Sequence, residues 1–127
     1  MNINRSGYLI KTDAGNLPLV NHFAITFYLN NKLYVLENTP FYGSRIITFD
    51  KFMKGRTIQF VKPTKLINKS NKYIFDKFNN LCQKPYDLIN YNCEHFIDCM
   101  MSDSQKSEQL HTIAYIGLAG FILYKVI

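Results

Sequence analysis

Cysteine is scarce in this 127-residue chain, which has only Cys82, Cys93 and Cys99, with no CxxC pair among them. That poverty argues against structural zinc and a disulfide-built scaffold, and for a reducing compartment. The opening Met1-Asn2-Ile3-Asn4-Arg5-Ser6 has no apolar core of the kind a secretory signal requires, so export is not expected. Acid is nearly missing from the middle. Residues 39–72 hold Arg45, Lys51, Lys54, Arg56, Lys62, Lys65, Lys69 and Lys72 against Asp50 alone, a balance of +7 where the remainder sums to −1. Phe41, Tyr42, Phe49, Phe52 and Phe60 are interleaved with these cations. No DNA- or RNA-binding motif accompanies them, so the basic stretch suits an anionic membrane surface better than a nucleic acid. Taken singly, each lysine is as well explained as solvated surface. Internal repeats are absent, and 47% hydrophobic residues suit one core.

What is present reads as a β half followed by a helical half. An extended segment at 8–11, a hairpin over 22–39 and strands near 45–49 and 57–62 precede Pro63. A helix is predicted from 71 to 82, with Ser70 as its cap and Ile74, Phe75, Phe78 and Leu81 as its apolar stripe. Lys84-Pro85-Tyr86 breaks it, and a second helix begins near Cys93. These spacings give a domain over 1–103 and a polar linker over 104–112. Residues 113–127 form a hydrophobic C-terminal membrane-tail candidate. At 1.5 Å per residue this last stretch falls short of the roughly 30 Å hydrocarbon layer, so packing on the core is its alternative.

Asn92-Cys93-Glu94-His95-Phe96 carries the chemistry. Phe96, Ile97 and Met100 follow Cys93 by three, four and seven residues, so a helix lays all four on one buried stripe. Asn92 is suited to cap that helix, and its free N–H groups and dipole are expected to favour a thiolate. A lone cysteine on such a stripe is more often a small buried hydrophobe. His22 weighs against that. Residues 22–29 alternate, with Phe23, Ile25, Phe27 and Leu29 on a packed face and His22, Ala24, Thr26 and Tyr28 on a more polar one. Asn30-Asn31 suits a two-residue turn, so 32–39 returns antiparallel with Leu29 facing Lys32, Thr26 facing Val35, Ala24 facing Glu37 and His22 facing Thr39. Glu37 then lies diagonal to His22 on the same face. Nucleophile, base and orienting acid would be Cys93, His22 and Glu37. His95, turned about 200° from the sulfur on a helix, reads as structural, and His111 as an ordinary surface residue.

Gly7-Tyr8-Leu9-Ile10, His22-Phe23-Ala24-Ile25, Tyr34-Val35-Leu36-Glu37 and the Cys93 string together resemble the lecithin retinol acyltransferase-like (LRAT domain) proteins. These are permuted NlpC/P60 papain-like thiol enzymes in which the histidine strand precedes the cysteine helix, and the resemblance covers about residues 7–101. It implies an α+β fold with an antiparallel sheet packed against the cysteine helix. Glu37 stands where many members have a second histidine. The implied activity is an acyltransferase or phospholipase that acts on lipid esters through a Cys93 thioester. Backbone N–H groups, with Asn92 or Tyr91 nearby, would steady the oxyanion. Phospholipid or another acyl ester and a membrane surface are the expected partners, in an intracellular, membrane-associated setting. Neither metal, cofactor nor nucleic acid is called for. The alternatives are an amide hydrolase of the NlpC/P60 type and a membrane-tethered interaction module with little turnover.

Overall fold

In the computed structural model, which describes residues 3–13 and 21–102, strands β2 (Asn21–Leu29) and β3 (Lys32–Thr39) are joined by Asn30 and Asn31 with φ of 51° and 63°. Those positive angles, which asparagine tolerates better than most residues, make the two-residue turn. They set Leu29 opposite Lys32, Thr26 opposite Val35 and Ala24 opposite Glu37, the register expected from the sequence. β1 (Tyr8–Asp13) pairs with β2 on one side and β5 (Ile58–Pro63) on the other, and β4 (Gly43–Thr48) pairs with β3. The result is an antiparallel five-stranded sheet of order β4-β3-β2-β1-β5 in an α+β domain. The linker 104–112, the apolar segment 113–127 and His111 lie outside the described residues.

One sheet face carries Leu9, Ile25, Phe27, Tyr34, Leu36 and Ile46 beneath the helices. α2 (Asn71–Lys77) starts as expected at Ser70, whose hydroxyl accepts from the Tyr73 N–H. It does not continue to Cys82 as one α-helix. Residues Phe78–Cys82 widen into a π-turn. α3 (Cys93–Met101) packs Phe96, Ile97 and Met100 on the same core, with the fully buried Phe78 and Phe96 edge to face at 6.0 Å between ring centres. Truncating either aromatic to alanine should cost about 3–5 kcal/mol.

The other face differs from expectation. The strand near 45–49 ends at Thr48, whose hydroxyl accepts from the Lys51 N–H and caps a short helix, α1 (Phe49–Met53). α1 lays the buried Phe52 over Ile10, Ala24 and Val35. The face read as more polar is therefore covered as well, and its polar groups must find partners within the protein. Just before β1, Gly7, with φ of 96°, bonds through its N–H to the Thr26 carbonyl and through its carbonyl to the Thr64 N–H. A Cβ there would stand 2.6 Å from the Ile67 nitrogen, so glycine is required. No helix among the described residues is long and apolar enough to cross a membrane.

Cysteine spacing proved misleading. Cys82, at the end of the π-turn, and Cys99, in α3, are joined by a disulfide across a sequence separation of 17. The cysteine count thus no longer speaks for a reducing compartment, and Cys93 is the one free thiol. Closing a loop of this length should contribute about 3 kcal/mol. Urea unfolding with and without reductant should differ by about that amount in wild type and by nothing in Cys82→Ser/Cys99→Ser.

Candidate active site

Glu37 is the electrostatic centre of the site. It is 1% exposed and lies opposite Arg45 in the β3–β4 register. One of its oxygens, Oε1, is 2.8 Å from His22 Nε2, while the other, Oε2, accepts from Arg45 Nε at 2.8 Å. Burial on its own would raise the Glu37 carboxyl. The hydrogen bonds and charges of His22 and Arg45 outweigh it and hold the group below its ordinary pKa. An ionised carboxylate can only accept, so His22 Nε2 carries a proton and Nδ1 is the basic nitrogen of the neutral ring. The ring is itself buried at 6% exposure, with its centre 5.8 Å from that of Phe52. His22 and Glu37 stand beside one another, as the hairpin register placed them. Arg45 completes a chain of three that the sequence reading missed by stopping at β3.

Cys93 opens α3. Asn92 Oδ1 accepts from the Glu94 and His95 N–H groups, at 3.0 and 3.1 Å, and Asn92 N–H donates to His95 Nδ1 at 3.1 Å, a reciprocal capping box. His95 is thus structural, as its helical position implied. The cap occupies Asn92 Oδ1, and one of the two Nδ2 hydrogens goes to the Leu88 carbonyl. Tyr91 is likewise engaged elsewhere, its hydroxyl donating to the Cys82 carbonyl. Of the backbone N–H groups at the start of α3, those of Asn92, Glu94, His95 and Phe96 are taken up by the cap and the first helical turn, which leaves that of Cys93. Asn38, which points away from Glu37 along β3, donates through Nδ2 to the Tyr91 carbonyl at 2.9 Å. It ties the loop before Cys93 to the sheet, while its fully buried Oδ1 is without a hydrogen-bond partner.

The thiol corrects the prediction of a thiolate. Burial raises the Cys93 pKa and the Glu94 charge adds to it, against the N–H groups of Phe23, Cys93 and Glu94, which pull it down. Desolvation wins over the helix terminus, and the thiol is neutral at rest. Its hydrogen-bond partner is the Asn21 carbonyl at 4.0 Å, and not the His22 ring. Cys93 and His22 nevertheless line one cavity of about 330 Å³ together with Asn38, Arg45, Arg56 and Tyr86. Tyr86 is a second residue missed from sequence. Its pKa is raised by burial and then by the charge of Cys93, so its phenol is a neutral hydrogen-bond donor beside the sulfur's cavity. Among the described residues, no three of His, Cys, Asp and Glu gather as a metal site.

No family model, no curated protein and no solved structure matches this chain.

Two measurements follow from the charges. Folding lowers the Glu37 pKa, so its contribution is complete above the ordinary carboxylate range and is lost as pH falls through the lowered value. Glu37→Gln should therefore be less stable than wild type by about 3 kcal/mol near neutrality. That gap should narrow in urea titrations taken down to about pH 3. Carboxymethylation of Cys93 should titrate with a midpoint above that of a free cysteine peptide. A midpoint below it would mean that the resting pair is thiolate and imidazolium.

Proposed function

We propose that this chain is a thiol-dependent acyltransferase or phospholipase acting on lipid esters through a Cys93 thioester, with the permuted NlpC/P60 papain-like fold of the lecithin retinol acyltransferase-like proteins. The observation that carries the reading is the shared cavity of Cys93 and His22, with His22 held through Nε2 by a buried, ionised Glu37. The raised thiol pKa makes a general base necessary, and Nδ1 of His22 is the basic nitrogen available for it.

In the forward step His22 Nδ1 takes the thiol proton as Sγ attacks the ester carbonyl. The carbonyl electron pair becomes an oxyanion facing the backbone N–H of Cys93. Collapse expels the alcohol, which takes the proton back from imidazolium, and leaves the acyl group on Sγ. Water or another acceptor then enters through the same proton path and regenerates the thiol. Glu37 stays ionised throughout and stabilises the imidazolium, as Arg45 keeps the buried carboxylate from bearing that charge alone.

A membrane surface is the proposed place of work. Phe41 is 92% exposed and Tyr42, Leu88 and Ile89 are also largely exposed. Phe41 and Tyr42 border the cavity itself, where apolar side chains in water favour an interface. The neutral thiol and its Asn21 contact favour one second reading, a membrane-associated binding module with little turnover.

Incubation with phospholipid bearing a labelled acyl chain separates the two. Intact-mass analysis should find an acyl adduct on Cys93, absent from Cys93→Ala. His22→Ala should slow its formation by about 10²–10⁴-fold, and Glu37→Gln less. No adduct in wild type would leave the binding module.

A further inference from the structure

Among the described residues, the lining of the Cys93 cavity has two arginines and no acid. Arg45 comes from β4 and Arg56 from the loop between α1 and β5, so two separately anchored guanidinium groups border one space. Arg45 is committed through Nε to Glu37 and stacks its guanidinium 4.0 Å from the centre of the Tyr42 ring. Arg56 is differently placed. It gives Nη1 to the Asp13 carbonyl and lies 5.2 Å from the centre of the Phe52 ring. The Asp13 carboxylate accepts from the Thr57 N–H. Among the described residues, no carboxylate forms an ion pair with Arg56.

A half-buried guanidinium with no counter-ion among the described residues, beside an apolar lip, is matched by a ligand that carries both an anion and a hydrocarbon chain. We infer that Arg56, supported by Arg45, selects a negatively charged head group on the molecule taken at Cys93, with the chain leaving across Phe41 and Tyr42. Such a site distinguishes a net-anionic amphiphile from a zwitterionic or uncharged one of the same chain length, because only the first neutralises Arg56 without bringing in a second cation. This rests on the proposed lipid-ester reading for its substrate, though the binding itself needs no turnover.

The experiment uses protection of the single free thiol. Cys93 of the full chain is alkylated with iodoacetamide in the presence of decyl phosphate, decylphosphocholine, decyl maltoside or inorganic phosphate, each kept below micelle formation. Decyl phosphate should protect at a concentration at least about tenfold lower than any of the other three. Arg56→Gln should bring the three amphiphiles within about threefold of one another, Arg56→Lys should keep most of the preference, and the exposed Lys62→Gln should keep all of it. Equal protection by the three amphiphiles in wild type would overturn the inference. So would full preference in Arg56→Gln, or protection by inorganic phosphate equal to that by decyl phosphate. Preferential protection without any acyl adduct would sustain the binding site and remove the thioester reading. An adduct formed equally from anionic and uncharged esters, with equal protection, would do the reverse.

Discussion

The register of the β2–β3 hairpin is the constraint on which the site depends, because it decides which side chain of β3 reaches His22. Asn30 and Asn31 form a turn with two positive φ angles, and that turn allows one pairing of the strands, with Ala24 across from Glu37. A slip of one residue would carry Asn38 to the position of Glu37. The imidazole would then face a neutral amide, and the loop before Cys93 would lose its tie to the sheet. Alternation along one strand thus serves both halves of the site: Glu37 holds His22 and Asn38 the segment that leads to the thiol.

Burial acts on the two ionisable partners in opposite ways. Glu37 is taken out of water but is held by hydrogen bonds to the His22 ring and the Arg45 guanidinium, so it stays charged. Cys93 meets only dipoles, with the Glu94 charge against it, and the cost of desolvating a thiolate exceeds what those dipoles return. The arrangement keeps the negative charge on Glu37 and the proton on the sulfur. In the proposed reaction the proton would move at the moment of attack, the task for which the Nε2-bonded tautomer of His22 is suited.

The core explains why these groups hold their places. Both sheet faces are covered, one by α2 and α3 and the other by α1, so the strands that carry His22, Glu37 and Arg45 are fixed from two sides. The Cys82–Cys99 bridge ties α3 to the π-turn, and the Tyr91 hydroxyl reaches the carbonyl of the same Cys82. The helix that Cys93 opens is thereby anchored at its far end by a covalent bond and at its near end by a capping box.

Local features were legible in the sequence where a short-range rule governs them. The asparagine turn, the alternation of residues 22–29, the Ser70 and Asn92 caps and the Phe96, Ile97 and Met100 stripe each depend on residues within about one turn or one strand. Together they placed His22 beside Glu37 and put Cys93 at the start of a helix. The features decided by tertiary structure involve residues brought together from different elements. Cys82 and Cys99 carry no framework spacing, yet packing of the π-turn on α3 joins them. Arg45 and Arg56 read as surface charge until β4 and the loop after α1 turn them toward the cavity. The thiol's protonation was misjudged because a helix terminus can be seen in sequence, whereas the degree of burial that opposes it exists only once the chain has folded.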